Sequence, residues 1–164
     1  MSVAAITETR QYLTFTLAEE TFAVDVAKVR EILEFTSITK VPRTPDFMRG
    51  VINLRGSVVP VMDMRLKFGM AETEKTVDTC IIVVEVLHEE EIIVLGALAD
   101  SVQEVFELEP GDIEPAPKIG TRLNTDFIQG MGKHDGQFIM ILDIDRTFSG
   151  DDLAAAGGVV GEAA

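Results

Sequence analysis

The stretch Asp46–Phe68, DFMRGVINLRGSVVPVMDMRLKF, returns eighty residues later as Asp126–Phe148, DFIQGMGKHDGQFIMILDIDRTF. With no gap, Asp46 matches Asp126, Phe47 matches Phe127, Gly50 matches Gly130, Gly56 matches Gly136, Asp63 matches Asp143 and Phe68 matches Phe148. Each copy carries the same pattern: an apolar strand enters a turn ending in glycine, and a second apolar strand leads to Asp and a helix-like tail. Asp135-Gly136 between apolar runs is a strong hairpin signal, because glycine takes a positive φ without a Cβ clash. Arg55-Gly56 is a weaker form of it.

The residues around the repeat read as short strands. Gln11–Leu17 alternates, with Leu13, Phe15 and Leu17 on one face and Thr14 and Thr16 on the other. Phe22, Val24 and Val26 alternate again after an acidic turn at Glu19-Glu20, which makes a hairpin. Val26, Val29, Ile32 and Leu33 fall at helical spacing, so a short helix competes with a strand from Val29. Ile38–Val41 reads as a short strand ended by Pro42, which has no N–H for a ladder. Met64–Phe68 reads as a helical turn stopped by Gly69. The order then recurs. Cys80–Leu87 and Ile92–Ala99 are strands about a turn at His88–Glu91, and Val102-Gln103-Glu104-Val105 echoes Val29-Arg30-Glu31-Ile32. Asp143–Ala156 reads as a terminal helix. Polar Ala71–Asp78 reads as the boundary between the repeats.

The expected fold is mainly β: two small five-stranded barrels side by side, over residues 11–75 and 76–150, with short helices and flexible ends at 1–10 and 157–164. Barrels of about 70 residues are marginal alone, so an apolar seam between them is expected.

Composition then removes function classes. Hydrophobic residues at 46% argue against disorder, and an aromatic share of 6% with no Trp leaves the packing to Val, Ile and Leu, which suits β-structure. A formal net charge of −14 opposes both phosphate backbones and anionic bilayers, so neither nucleic acid nor a membrane surface is an expected partner. The charge is uneven. Between Lys40 and Lys67, six basic residues face two acidic ones, a net of +4. That is either scattered solvated charge or a patch that steers an acidic protein. A single cysteine forms no internal disulfide. The N-terminus lacks the basic and apolar regions of a signal peptide, and the longest apolar runs, Cys80–Val84 and Ile92–Ala99, are too short to span a bilayer as helices. A cytoplasmic location is the expectation.

Catalytic chemistry finds little footing. His88 and His134 read as exposed turn residues, and without paired His or Cys at ligand spacing neither a metal nor a cofactor is expected. Cys80 opens an apolar strand with no basic activator nearby in sequence, and reads as a small apolar residue. Gly130, Gly132 and Gly136 lack the G-x-G-x-x-G spacing and precede a strand, so they form no phosphate cradle. One enzyme reading remains. Asp63 and Asp100 each follow an apolar strand, and Asp100-Ser101-Val102 resembles the Asp-Ser/Thr-Gly of aspartic proteases, whose two carboxylates share a proton. Against it, Val replaces the glycine, Asp63 is followed by Met64-Arg65, and the repeat partner of Asp63 is Asp143. A strand-end Asp more often caps a turn or helix.

G-V-I-N-L-R-G at Gly50–Gly56 and V-V-P-V-M-D at Val58–Asp63 resemble the CheW family of bacterial chemotaxis adaptors. So do F-x-V-D-V-x-K-V-R-E-I at Phe22–Ile32, I-T-K-V-P at Ile38–Pro42 and L-A-D-S-V-Q-E-V at Leu98–Val105. The resemblance runs from Gln11 to Phe148, and is shared in part by the regulatory domain of the kinase CheA and the front half of CheV.

The resemblance implies two SH3-like barrels, no enzymatic activity, and a bridge between the histidine kinase CheA, through its regulatory domain, and the cytoplasmic tips of methyl-accepting chemoreceptors. A CheW-like scaffold in another pathway, such as twitching motility, is the alternative. By resemblance the receptor tip, a helical hairpin, docks in an apolar groove between the barrels at Val29, Glu31, Ile32, Cys80, Val102 and Val105. Arg55, in the turn Asn53-Leu54-Arg55-Gly56, is the residue tied to adaptor function. The second copy carries His134 there, beside Lys133, so the turn itself does not require the charge. Thr44, Pro45, Met48, Arg49 and Gly50 are kinase-contact candidates, although Met48 and Ile52 equally suit the barrel core.

Overall fold

The computed structural model describes residues 9–114, 127–134 and 136–148. Eleven strands and two one-turn helices run in the order β1 (Arg10–Leu17), β2 (Glu20–Asp25), β3 (Val29–Glu34), β4 (Met48–Leu54), β5 (Ser57–Asp63), α1 (Met64–Lys67), β6 (Cys80–His88), β7 (Glu91–Ala99), β8 (Ser101–Leu108), β9 (Ile113–Glu114), β10 (Ile128–His134), β11 (Gln137–Leu142) and α2 (Ile144–Thr147). The terminal helix expected over Asp143–Ala156 is reduced to the single turn α2, because Phe148 is already extended, with φ −109° and ψ 134°. Residues 149–156, the connection 115–124 and the ends 1–8 and 157–164 lie outside the described residues.

Local chemistry sets the hairpins. Ala18-Glu19, Arg55-Gly56 and Glu89-Glu90 each take positive φ at both positions, the two-residue turn whose twist matches the flanking strands. The first turn therefore sits one residue earlier than Glu19-Glu20. Both readings of Val26–Leu33 hold in part. Val26–Lys28 makes one 3-10 turn, capped by an Asp25 carboxylate that accepts from the Ala27 N–H, and a strand starts at Val29. The strand expected at Ile38–Val41 is reduced to a single bridge between Thr39 and Val51. That bridge brings the Thr39 carbonyl within 2.1 Å of where a Cβ on Gly50 would sit.

The strands form two sheets, β8-β1-β2-β11-β10-β9 and β3-β6-β7-β5-β4. This corrects the expected division at residues 75 and 76. The β1–β2 hairpin of the first repeat builds onto β8 and β11 of the second, while the β6–β7 hairpin of the second builds onto β3 and β5 of the first. The cause is connection length. β8 runs parallel to β2, with β1 between them. If β3 took the equivalent place beside its own hairpin, the chain would have to return from the end of β2 to the start of a parallel strand, and such a crossover takes about a dozen residues. Only Val26–Lys28 separates β2 from β3, and only Asp100 separates β7 from β8. Each chain segment therefore runs straight on into the neighbouring sheet.

The sheets keep the symmetry of the repeat. β5 lies parallel to β7 and β11 parallel to β2. The register slips at equivalent places, Met48/Gly50 and Ile128/Gly130. The Asp63 N–H donates to the Phe47 carbonyl, as the Asp143 N–H does to Phe127.

The expected seam is the largest core in the molecule. Leu13, Phe15, Phe22 and Leu142 of the first sheet pack with Met48, Met62, Ile82, Val84 and Ala97 of the second in one buried cluster. Phe15, Phe22, Phe68 and Phe127 stack in sequence through it, with centroids 5.8–6.0 Å apart. The cluster inside each barrel is smaller, centred on Val61, Ile81 and Leu98 in one and on Tyr12, Leu108 and Ile141 in the other. Apolar area is thus removed from water mainly between the barrels, and each barrel keeps only its smaller internal cluster to itself.

Candidate functional site

β3 and β8 are edge strands of different sheets, and they correspond in the repeat. Val29 pairs with Val84 and Glu31 with Val83, a bulge at Arg30; across β8, Val102 pairs with Phe15 and Val105 with Leu13, the same irregularity in the equivalent place. The sequence echo of Val29–Ile32 and Val102–Val105 is therefore a structural one.

Val29 and Val102 pack half-buried against the central seam. Cys80 begins β6 opposite Glu34, its sulfur accepts from the Val102 N–H, and its thiol donates to the Asp78 carbonyl at 3.2 Å. Burial pushes the thiol pKa up, which keeps it protonated and unreactive. Val29 and Val102 thus line the central seam, and Cys80 lies beside Val102, four residues along β6 from the partner of Val29. Ile32 and Val105 stand further out, 44% and 52% exposed.

The structure also joins two groups of residues that the sequence kept apart. Arg55, at the β4–β5 turn, reaches across to Glu31 on β3 with both ends of its guanidinium, one hydrogen bond being 3.2 Å. This contact lowers the Glu31 pKa and raises that of Arg55. Both pack at the rim of a 320 Å³ pocket floored by Leu54, Val59 and Val94. Arg55 takes φ 50°, Gly56 takes φ 88°, and the Asn53 side chain closes the turn by accepting from the Gly56 N–H at 2.8 Å. One alignment is corrected by the registers. His134 pairs with Gln137 as Leu54 pairs with Ser57, so His134 matches Leu54, and Asp135 is the residue that corresponds to Arg55. The basic charge belongs to the first copy alone.

The kinase-contact candidates divide. Met48 is buried in the seam and Gly50 under Thr39, so both serve packing. Arg49 is occupied by Asp63 at 3.1 Å, the Thr73 carbonyl at 3.2 Å and Glu72 at 3.3 Å. Thr44 and Pro45 remain half-buried on the loop, where the Thr44 hydroxyl donates to Val41 and the Pro45 carbonyl accepts from the Met48 N–H.

The aspartate pair of the protease reading is otherwise engaged. Asp63 is fully buried, caps α1 through the Arg65 and Leu66 N–H groups, and takes further bonds from Arg49 and from the Thr73 N–H and hydroxyl. Asp100 accepts from the Ala18 N–H at 2.7 Å and lies 3.3 Å from Arg65. The histidines are not exposed turn residues. Each ends a strand and is half-buried, with His134 stacked on Phe106 at 3.9 Å and 3.6 Å from Glu104. Among the described residues no group of three His, Cys, Asp or Glu is placed to hold a metal ion, and no helix is long and apolar enough to cross a membrane.

A family profile described as CheW-like domain matches residues 11–152. The chemotaxis protein CheW of Klebsiella aerogenes is 32% identical over 157 residues, covering 96% of this chain and 92% of the relative. That of Rhizobium meliloti is 33% identical over 147 residues, covering 90% and 92%. The crystal structure of the scaffolding protein TtCheW from Thermoanaerobacter tengcongensis superposes with a TM-score of 0.77 at 35% identity, covering 90% of this chain and 92% of that one.

Proposed function

Because the chain belongs to the CheW family of non-catalytic chemotaxis scaffolds with two SH3-like barrels, we propose that it couples methyl-accepting chemoreceptors to the histidine kinase CheA in the cytoplasm by binding both. The observation that carries this reading is the pairing of β3 with β8 as corresponding edge strands of two barrels. They carry Val29 and Val102, half-buried against the seam, and expose Ile32 and Val105. A helical receptor tip, with apolar residues on one face, suits this exposed apolar edge. Arg55 and Glu31 stand beside it, and Arg55 belongs to the basic stretch of an otherwise acidic chain. That supports a kinase contact through acidic groups at the β4–β5 end, with the Thr44-Pro45 loop as the second contact.

The coupling is thermodynamic. The scaffold transmits a receptor change only to the extent that its affinity differs between the receptor states. Titration of the purified chain with the regulatory domain of its own CheA, and separately with a receptor-tip fragment, tests the reading. Micromolar binding is expected in both. Val105→Glu should weaken only the receptor arm and Arg55→Ala chiefly the kinase arm. No binding to either at tens of micromolar and moderate salt overturns it.

A further inference from the structure

Two carboxylates take part in the contacts that tie the barrels together, Asp100 in one crossover and Asp145 beside the other. Asp100, in the crossover from β7 to β8, accepts from the Ala18 N–H at the tip of the β1–β2 hairpin, at 2.7 Å. Its own N–H donates to the Thr16 carbonyl at 2.9 Å, and Arg65 of α1 lies 3.3 Å away. Asp145, on α2, accepts from the Leu87 N–H of the β6–β7 hairpin at 2.8 Å and pairs with Lys28 of the other crossover at 2.7 Å. Ala18 and Leu87 lie equally far along their strands from Phe15 and Val84, which face the corresponding residues Val102 and Val29, although Ala18 is a turn residue and the longer β6–β7 hairpin turns two residues later at Glu89-Glu90. Asp145 therefore holds a backbone amide of the opposite barrel, whereas Asp100 holds the hairpin of the sheet that β8 joins and reaches across to Arg65, on α1 after β5 of the other sheet.

We propose that Asp100 and Asp145 are positioning residues that set the angle between the barrels, and with it the separation of β3 and β8. The seam beneath them is apolar, and apolar contact is non-directional, so it holds the barrels together without choosing a rotation. The bond from the Leu87 amide is directional and anchored in the backbone, and the contact of Asp100 with Arg65 acts between the barrels at the other hairpin. The consequence for receptor docking rests on the function proposed above, but the positioning itself does not.

The test needs no partner. Nitroxide labels at exposed positions 30 and 103, the corresponding bulge residues of β3 and β8, report the strand separation by pulsed electron paramagnetic resonance in a Cys80→Ser background. The parent is expected to give one narrow distance distribution. Asp100→Ala with Asp145→Ala should broaden it and shift its centre while circular dichroism still shows a folded chain. If the double variant does not fold, Asp145→Ala alone carries the comparison. Exchanging the ion pair, Lys28→Asp with Asp145→Lys, separates the two roles. It restores the charge pair but leaves the Leu87 N–H without its acceptor, so the distribution should stay broad even as thermal stability recovers. A parental distribution in the folded alanine variant, or its full restoration by the exchanged pair, overturns the proposal.

Discussion

Arg65 and Asp145 are eighty residues apart, occupy the same place in the two copies of the repeat, and carry opposite charges. Arg65 faces Asp100 in one crossover and Asp145 faces Lys28 in the other, so the duplicated module keeps its contact geometry while the signs are exchanged. An identical pair of copies would place like residues against crossovers that differ. The exchange lets each helix meet the opposite charge.

A second pair of corresponding residues should separate on mutation. Asp63 is neutralised by Arg49, whereas the second copy has Gln129 in place of that arginine, and burial together with nearby Asp145 raises the Asp143 pKa. Asp63→Asn removes the buried anion facing Arg49, leaving it only the exposed Glu72, and should cost about 2–4 kcal/mol in urea unfolding at neutral pH. Asp143→Asn keeps an equally good N-cap and removes a penalised charge, so it should leave stability unchanged or raise it by up to about 1 kcal/mol.

The pH dependence follows with a definite sign. A carboxylate with a raised folded pKa binds its proton more tightly when folded, so its ionisation costs stability. For Asp143 that cost is absent below the unfolded value of 3.8, grows above it, and is complete once pH exceeds the folded value. Thermal melts of the parent and Asp143→Asn should converge towards acid pH. A constant difference down to pH 3 contradicts this. Glu31 behaves oppositely: its folded pKa is lowered, so its contribution is present above the unfolded value of 4.5 and lost as pH falls through the folded one.

Gly50 and Gly56 should respond differently to alanine. At Gly50, φ is 144° and a Cβ would meet the Thr39 carbonyl at 2.1 Å, so the Thr39–Val51 bridge must break; a loss of about 3 kcal/mol or failure to fold is expected. At Gly56, φ is 88° with open space around it, and the cost should be about 1 kcal/mol. Chemical denaturation of both variants makes the comparison.

Tyr12 is fully buried and its hydroxyl has no hydrogen-bond partner among the described residues. Tyr12→Phe removes a desolvated polar atom without changing the ring, so the midpoint of thermal unfolding should stay the same or rise, by an amount corresponding to about 1 kcal/mol.

Arg55→Ala and Glu31→Gln should scarcely alter stability, since an exposed ion pair contributes little. Their effect should appear in the kinase titration, and should shrink as salt is raised. A large fall in melting temperature would give the pair a structural role instead.

The candidate site was legible in the residues that show periodicity or a turn. The echo of Val29–Ile32 by Val102–Val105 is a true correspondence, and Arg55-Gly56 is a tight hairpin turn. The role of Arg49 was not legible, and for Met48 the sequence left kinase contact and barrel core equally open. Only the folded chain brings Asp63 and Thr73 around Arg49 and the seam around Met48. The bond between Arg55 and Glu31 spans 24 positions, beyond the reach of any local pattern.

By itself the sequence determined the duplication, the strand-rich class, the turns and the need for an apolar seam, because alternation, glycine placement and strand-end aspartates act over a few residues. Only the tertiary structure decided which hairpin completes which barrel. β1–β2 would meet much the same chemistry beside β5 as beside β11, so no local preference selects between them. The choice falls to the two short crossovers, Val26–Lys28 and Asp100, which cannot return the chain to a parallel strand in the same sheet and carry it into the neighbouring barrel.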